Sequence, residues 1–86
     1  MDKNLINHNI TTQNTRVDII GELEAINQYE NHLEVTDDPA AKVTIEDIVR
    51  EEKVHVGHLF GLLFQLDPES KKQFEVGYQE FLESVR

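Results

Sequence analysis

The sequence contains no cysteine and no tryptophan, and it has only 2 prolines in 86 residues. Without thiols there is neither a disulfide framework nor a thiolate metal site, the devices that stabilise many small domains. Any metal ion would have to be held by oxygen and imidazole. Basic residues are scarce too, 8 Lys and Arg against 17 Asp and Glu, for a formal charge of -9. Nucleic-acid affinity rests largely on Lys and Arg neutralising phosphates, so neither nucleic acid nor an anionic membrane is an expected partner. Excess acid suits cations, although a solvated acidic surface is the commoner meaning of such a balance. No stretch approaches the roughly 18 apolar residues of a membrane span. The opening MDKNLINHNITTQNT has no apolar core or small-residue cleavage site of a signal peptide, so a cytoplasmic location is expected. There is no internal repeat and no Gly-rich loop that would cradle a phosphate or position a nucleophile.

What is present is helical patterning in a chain short enough that one domain of two or three helices would sit near the lower limit for burying its own core. Oligomerisation is therefore expected from size alone. Residues 1–14 are rich in Asn and Thr, whose side chains compete for backbone hydrogen bonds, and this predicts a flexible N-terminal arm ahead of a helical domain over 15–86. Breaks follow at Asp37-Asp38-Pro39 and Asp67-Pro68, where Asp can cap a helix and Pro can occupy its first turn.

The segment over 15–35 carries Ile19, Glu22, Ile26, Tyr29 and Leu33 at alternating steps of three and four, one stripe of a helix. The segment over 39–66 repeats the pattern as Ile45, Ile48, Glu52, His55, Leu59, Leu62 and Leu66, and Val49, Val56 and Leu63 widen it at heptad spacing. Such a helix runs roughly 40 Å, and a hairpin of two leaves much of its stripe uncovered, so a second hairpin is the natural cover. The segment from 68 onward places Phe74, Tyr78, Phe81 and Val85 on one face, which predicts a short amphipathic helix lying across the hairpin or against a neighbouring subunit. The predicted fold class is all-α, an antiparallel two-helix hairpin with a short C-terminal helix, dimerising into a four-helix bundle.

Glu52-x-x-His55 puts a carboxylate and an imidazole on adjacent turns of one helix face, within reach of a single ion. As a string it is weak evidence in a chain this acidic. Its position says more, because Glu22, Glu52 and His55 occupy stripe positions that otherwise hold Ile, Leu and Tyr, and a carboxylate is rarely buried unless paired or metal-bound. One Glu from one helix and Glu-x-x-His from the next is half of a di-iron carboxylate site, which a two-fold dimer would complete. Two other readings stand beside it. The glutamates can snorkel at the rim with His55 as a neutral core histidine, or the set can hold a mononuclear ion or zinc, since Glu and His do not choose one metal. His58, one turn beyond His55, is a candidate transient iron ligand, with a solvent-facing histidine the commoner reading. His8 and His32 fall outside the stripes and read as surface residues.

The run Gly21-Glu22-Leu23-Glu24-Ala25-Ile26-Asn27-Gln28-Tyr29, with Glu51-Glu52-Lys53-Val54-His55 and Gln65-Leu66-Asp67-Pro68, resembles the encapsulated ferritin family over about residues 17–82, with the spacing between motifs kept. The resemblance implies a dimer that forms the site and assembles further into a homodecameric ring. It also implies an encapsulin shell protein as partner and iron as cofactor in a di-iron centre. Calcium at secondary sites belongs to the same expectation. Glu22, Glu52 and His55 match the family's ferroxidase ligands, Glu52 bridging and Glu22 terminal, with Tyr29 beside the metals. Glu24 matches a second-site carboxylate that guides or holds cations. Two positions depart from the family's pattern: Gly21 stands where a further acidic residue is common, and Gln28 where a tryptophan is common. Cargo members usually carry a C-terminal docking tail, and none is recognised before the chain stops at Glu83-Ser84-Val85-Arg86.

The implied activity is a ferroxidase that oxidises Fe(II) to Fe(III) for iron storage or detoxification. The alternatives are a metal-free or metal-binding structural dimer and a rubrerythrin-like peroxide-reducing protein, the latter weakened by the absence of cysteines for a rubredoxin-type centre.

Overall fold

The computed structural model describes residues 2–85, and within them three α-helices and no strand. The first helix, α1 (Lys3–Val35), begins with Asp2, whose carboxylate accepts from the Asn4 N–H at 2.9 Å. It ends where Thr36 turns extended and its N–H donates to the His32 carbonyl. After a short link, α2 (Pro39–Leu66) starts with Pro39 in its first turn, where a missing N–H costs nothing. Of the two aspartates expected to cap, Asp38 makes no side-chain cap bond, whereas Asp67 accepts from the Ser70 N–H and hydroxyl to open α3 (Pro68–Ser84). Helices α1 and α2 are antiparallel, because His8 near one end of the chain reaches Leu66 at the end of α2.

The arm expected over residues 1–14 is, from Lys3 onward, helix: α1 runs through it without a break. Met1 lies outside the described residues. Its threonines explain the difference. Thr12 and Thr15 are buried at 7% and 3% exposure against α2, and their hydroxyls donate to the carbonyls of His8 and Thr11 one turn back. A hydroxyl satisfied by its own helix leaves only a methyl to present to a neighbour.

The core lies between α1 and α2. Ile26, Ile45 and Val49 are buried together, with Tyr29, Leu33, Ala41 and Val56 packed on them, and Ile19 and Leu63 extend the contact toward the far end. On α2 the row turned to α1 is therefore Ile45, Val49, Glu52, Val56 and Leu63. The other part of the stripe read from sequence, through Ile48, His55 and Leu62, sits about 100° further round. Ile48 is half-buried, His55 is exposed and Leu62 is 43% exposed. Each row carries apolar residues at heptad spacing around one polar residue, Glu52 or His55, so either could serve as the seam, and packing against α1 selects one and leaves the other open.

Helix α3 does not lie across the hairpin. It touches α2 and not α1, through a ring cluster in which Phe74 sits 5.9 Å from Phe60 and 5.3 Å from Phe64, with Tyr78 stacked on Phe74. None of its residues is buried. Phe60 and Phe64 are five and nine residues beyond His55, which places them roughly 140–180° around α2 from it. The open row of α2 is thus left uncovered by α3.

Candidate metal centre

Two glutamates interrupt the hairpin core at the same level. Glu22 sits between Ile19 and Ile26 on α1, Glu52 between Val49 and Val56 on α2, and the antiparallel pairing brings them together. Their side chains are 26% and 19% exposed, while that of His55, one turn after Glu52 and on the open row, is 50% exposed. The His55 Nδ1 is 3.9 Å from Glu22 Oε1 and 3.9 Å from Glu52 Oε2. These separations are too long for hydrogen bonds. One ligand atom from each of the three residues falls within 4.8 Å of the others, which is wide enough to admit an ion between them.

The electrostatics favour a cation there. Glu22 Oε2 is buried without a hydrogen-bond partner. No Lys or Arg forms an ion pair with Glu22 or Glu52 among the described residues. An unsatisfied buried acceptor costs about 1–3 kcal/mol, and more when it is charged. A divalent cation would remove that cost and the repulsion between neighbouring carboxylates. The donor set, two hard oxygens and an imidazole, suits iron and does not exclude zinc or manganese.

Of the other residues singled out from sequence, Tyr29 lies two turns from Glu22 and packs on the Ile26, Ile45 and Val49 core. Glu24 is exposed, and two residues from Glu22 is about 200° of helix, so within one chain it points away from the cluster. His58 is exposed with its ring centroid 6.4 Å from that of His55. His8 and His32 are exposed, as expected, and His8 also pairs through Nε2 with the Leu66 carbonyl at 2.8 Å. Gly21 has a negative φ, and a Cβ there would meet no atom within 4 Å, so the fold of the single chain does not demand glycine at that position.

One residue was passed over from sequence. Asp18 lines the same groove as Glu22 and Glu52, with Val17, Gly21, Ala25 and Leu59 forming the rest of the wall. The signal available was its four-residue spacing before Glu22, which puts the two side chains on neighbouring turns of one face.

No family profile matches the chain. Among curated proteins, a ferritin-like–encapsulin shell fusion protein of Pyrococcus furiosus is 41% identical over 68 residues, covering 79% of this chain and 20% of that protein. An encapsulin nanocompartment cargo protein of Myxococcus xanthus, EncC, is 39% identical over 54 residues, covering 63% of this chain and 42% of that one. The chain therefore spans less than half the length of either. Among solved structures, the crystal structure of the encapsulated ferritin domain from Pyrococcus furiosus superposes with a TM-score of 0.85 at 35% identity, covering 96% of this chain and 91% of that domain. Identity at that level along nearly the whole of both chains, on the same three-helix backbone, means that the chain belongs to the encapsulated ferritin family.

Proposed function

We propose that two copies of this chain pair through the open row of α2 and together form a ferroxidase, which takes up Fe(II) and oxidises it with dioxygen to Fe(III). The observation that carries this reading is the group of Glu22, Glu52 and His55, with the unpartnered Glu22 oxygen, on a face that the chain's own helices leave uncovered. One chain brings three donors, too few for two iron ions, and a two-fold pairing doubles them. In this reading Glu22, Glu52 and His55 hold the iron, and hard carboxylate oxygens favour the Fe(III) product over the Fe(II) substrate. Each iron gives one electron to dioxygen. Tyr29, which the family resemblance puts beside the metals, packs on the Ile26, Ile45 and Val49 core in the single chain. A metal-free dimer would leave the Glu22 oxygen without a partner unless the second copy supplied a donor to it.

The paired chains have no closed cavity of their own, so oxidised iron would be stored elsewhere. The relatives named for an encapsulin shell and for encapsulin cargo support a shell protein as partner and a nanocompartment in the cytoplasm as the place of work. A ring of ten chains and calcium at secondary sites belong to the same proposal.

Anaerobic Fe(II) loading followed by air tests it, with absorbance and mass recorded for wild type, Glu52→Ala and His55→Ala. The expected result is about one iron per chain, oxidised rapidly, and loss of both in the variants. Wild type that binds no iron, or variants that oxidise it equally well, overturns the reading.

A further inference from the structure

The groove that holds Glu22 and Glu52 carries a third carboxylate that the three metal donors leave unused. Asp18 stands one turn before Glu22 on the same wall, and Leu59 closes the wall opposite. Side chains at this spacing start about 5–6 Å apart, close enough for an ion held by one to pass to the other without leaving the groove. Asp18 is exposed and forms no ion pair among the described residues. Gly21, on the same groove wall, adds no side chain there, and no atom lies within 4 Å of where its Cβ would be. The groove therefore grades from an exposed carboxylate at Asp18 to the partly buried and partly unpartnered Glu22.

We propose that Asp18 is the capture residue for this site: it draws a hydrated divalent cation into the groove and passes it to Glu22 and Glu52. This rests on the metal-site reading above and adds a residue to it. Asp18 is a positioning residue, since in this scheme it acts on the approach of the ion and is not a ligand of the final centre. Capture by an exposed charge speeds association, and its effect shrinks as salt screens it beyond about 10 Å at 0.1 M ionic strength.

The test uses Co(II), which has a visible spectrum and does not oxidise under these conditions, mixed with the metal-free full-chain oligomer in a stopped-flow instrument. Asp18→Asn is expected to slow Co(II) uptake by about 3- to 10-fold at low salt, with the difference fading at high salt. Its final stoichiometry and spectrum should equal those of wild type, and in iron oxidation the KM for Fe(II) should rise with kcat unchanged. Asp18→Glu should restore uptake. Glu30→Gln, an equal loss of charge outside the groove, should take up Co(II) as wild type does. The proposal is overturned if Asp18→Asn keeps the wild-type rate, if Glu30→Gln slows uptake as much, or if Asp18→Asn changes the final spectrum, which would make Asp18 a ligand. Failure of the metal-site reading looks different: Glu52→Ala would then retain the wild-type Co(II) spectrum and stoichiometry.

Discussion

A glutamate kept in a core for structure and one kept for a metal respond to neutralisation with opposite signs. Glu22→Gln keeps the shape of the side chain and removes the charge beside Glu52, so the metal-free protein is expected to gain about 1 kcal/mol, read as a higher urea midpoint in the presence of chelator. The same substitution should weaken metal binding by tenfold or more, on the order of 1.4 kcal/mol, in a Co(II) titration. A Glu22 that served only to hydrogen-bond within the fold would lose stability and leave the titration unchanged. At this scale the sequence showed Glu22, Glu52 and His55 as polar residues out of place in apolar stripes, and the structure brings those three together. It did not show Asp18, because an acidic residue outside the stripe looks like any other solvated carboxylate until the groove beside it is known.

Two features of the helices reach beyond their own sequence. The elbow between α2 and α3 is held by Asp67, whose carboxyl lies below its ordinary value of 3.8, chiefly because the Ser70 hydroxyl donates to it, helped by the Ser70 N–H and by Arg16 at 3.1 Å. A carboxyl held low in the folded state contributes stability at pH above its ordinary value and loses it as pH falls through the folded one. The helicity of α3 and the Asp67 carboxyl resonance should therefore titrate together below 3.8 in an NMR series, and Ser70→Ala should move that resonance back toward the ordinary value. The second feature is the start of α1. Thr15→Val replaces a hydroxyl whose bond is local to its own helix with a methyl at a position 3% exposed. Thermal unfolding is expected to change by under about 1 kcal/mol, and not to show the loss of a bond to α2. The helix over residues 3–14 was not legible from sequence for the same reason: propensity scores the Asn and Thr side chains as competitors of the helix, while burial lets a threonine satisfy itself within it.

The whole molecule is a slab of 55 × 41 × 14 Å with a radius of gyration of 17.1 Å. A compact chain of this length would have about 12 Å. Its accessible surface of 6654 Å² exceeds the roughly 5,200 Å² expected for a folded monomer of 10.0 kDa. The excess exceeds the approximately 800 Å² that one partner buries in an ordinary stable interface, which is the surface that the proposed pairing would cover. Adjacent leucines separate folding from assembly. Leu63 is 7% exposed in the single chain, and Leu63→Ala should cost about 2–4 kcal/mol in urea unfolding. Leu62 is 43% exposed on the open row, so Leu62→Glu should leave the helical circular dichroism intact and reduce the mass in solution toward 10.0 kDa. An oligomer of unchanged size in Leu62→Glu would place the interface elsewhere.

Sequence alone determined the elements and the chemistry available to them. Two Asp-Pro breaks, stripes at helical spacing, and three polar residues within those stripes follow from local rules, since caps, proline and periodicity act over a few residues. The tertiary structure decided the orientations. It selected the Val49, Val56 and Leu63 row over Ile48, His55 and Leu62 as the intramolecular seam, and turned α3 onto Phe60 and Phe64, away from the open face. It also lengthened α1 to reach Leu66 and placed Asp18 beside Glu22 and Glu52 in one groove. The physical reason is common to all four. When two faces of a helix are equally apolar, or a polar side chain is equally at home in water and in contact, the sequence leaves the choice nearly degenerate, and packing against a neighbour resolves it.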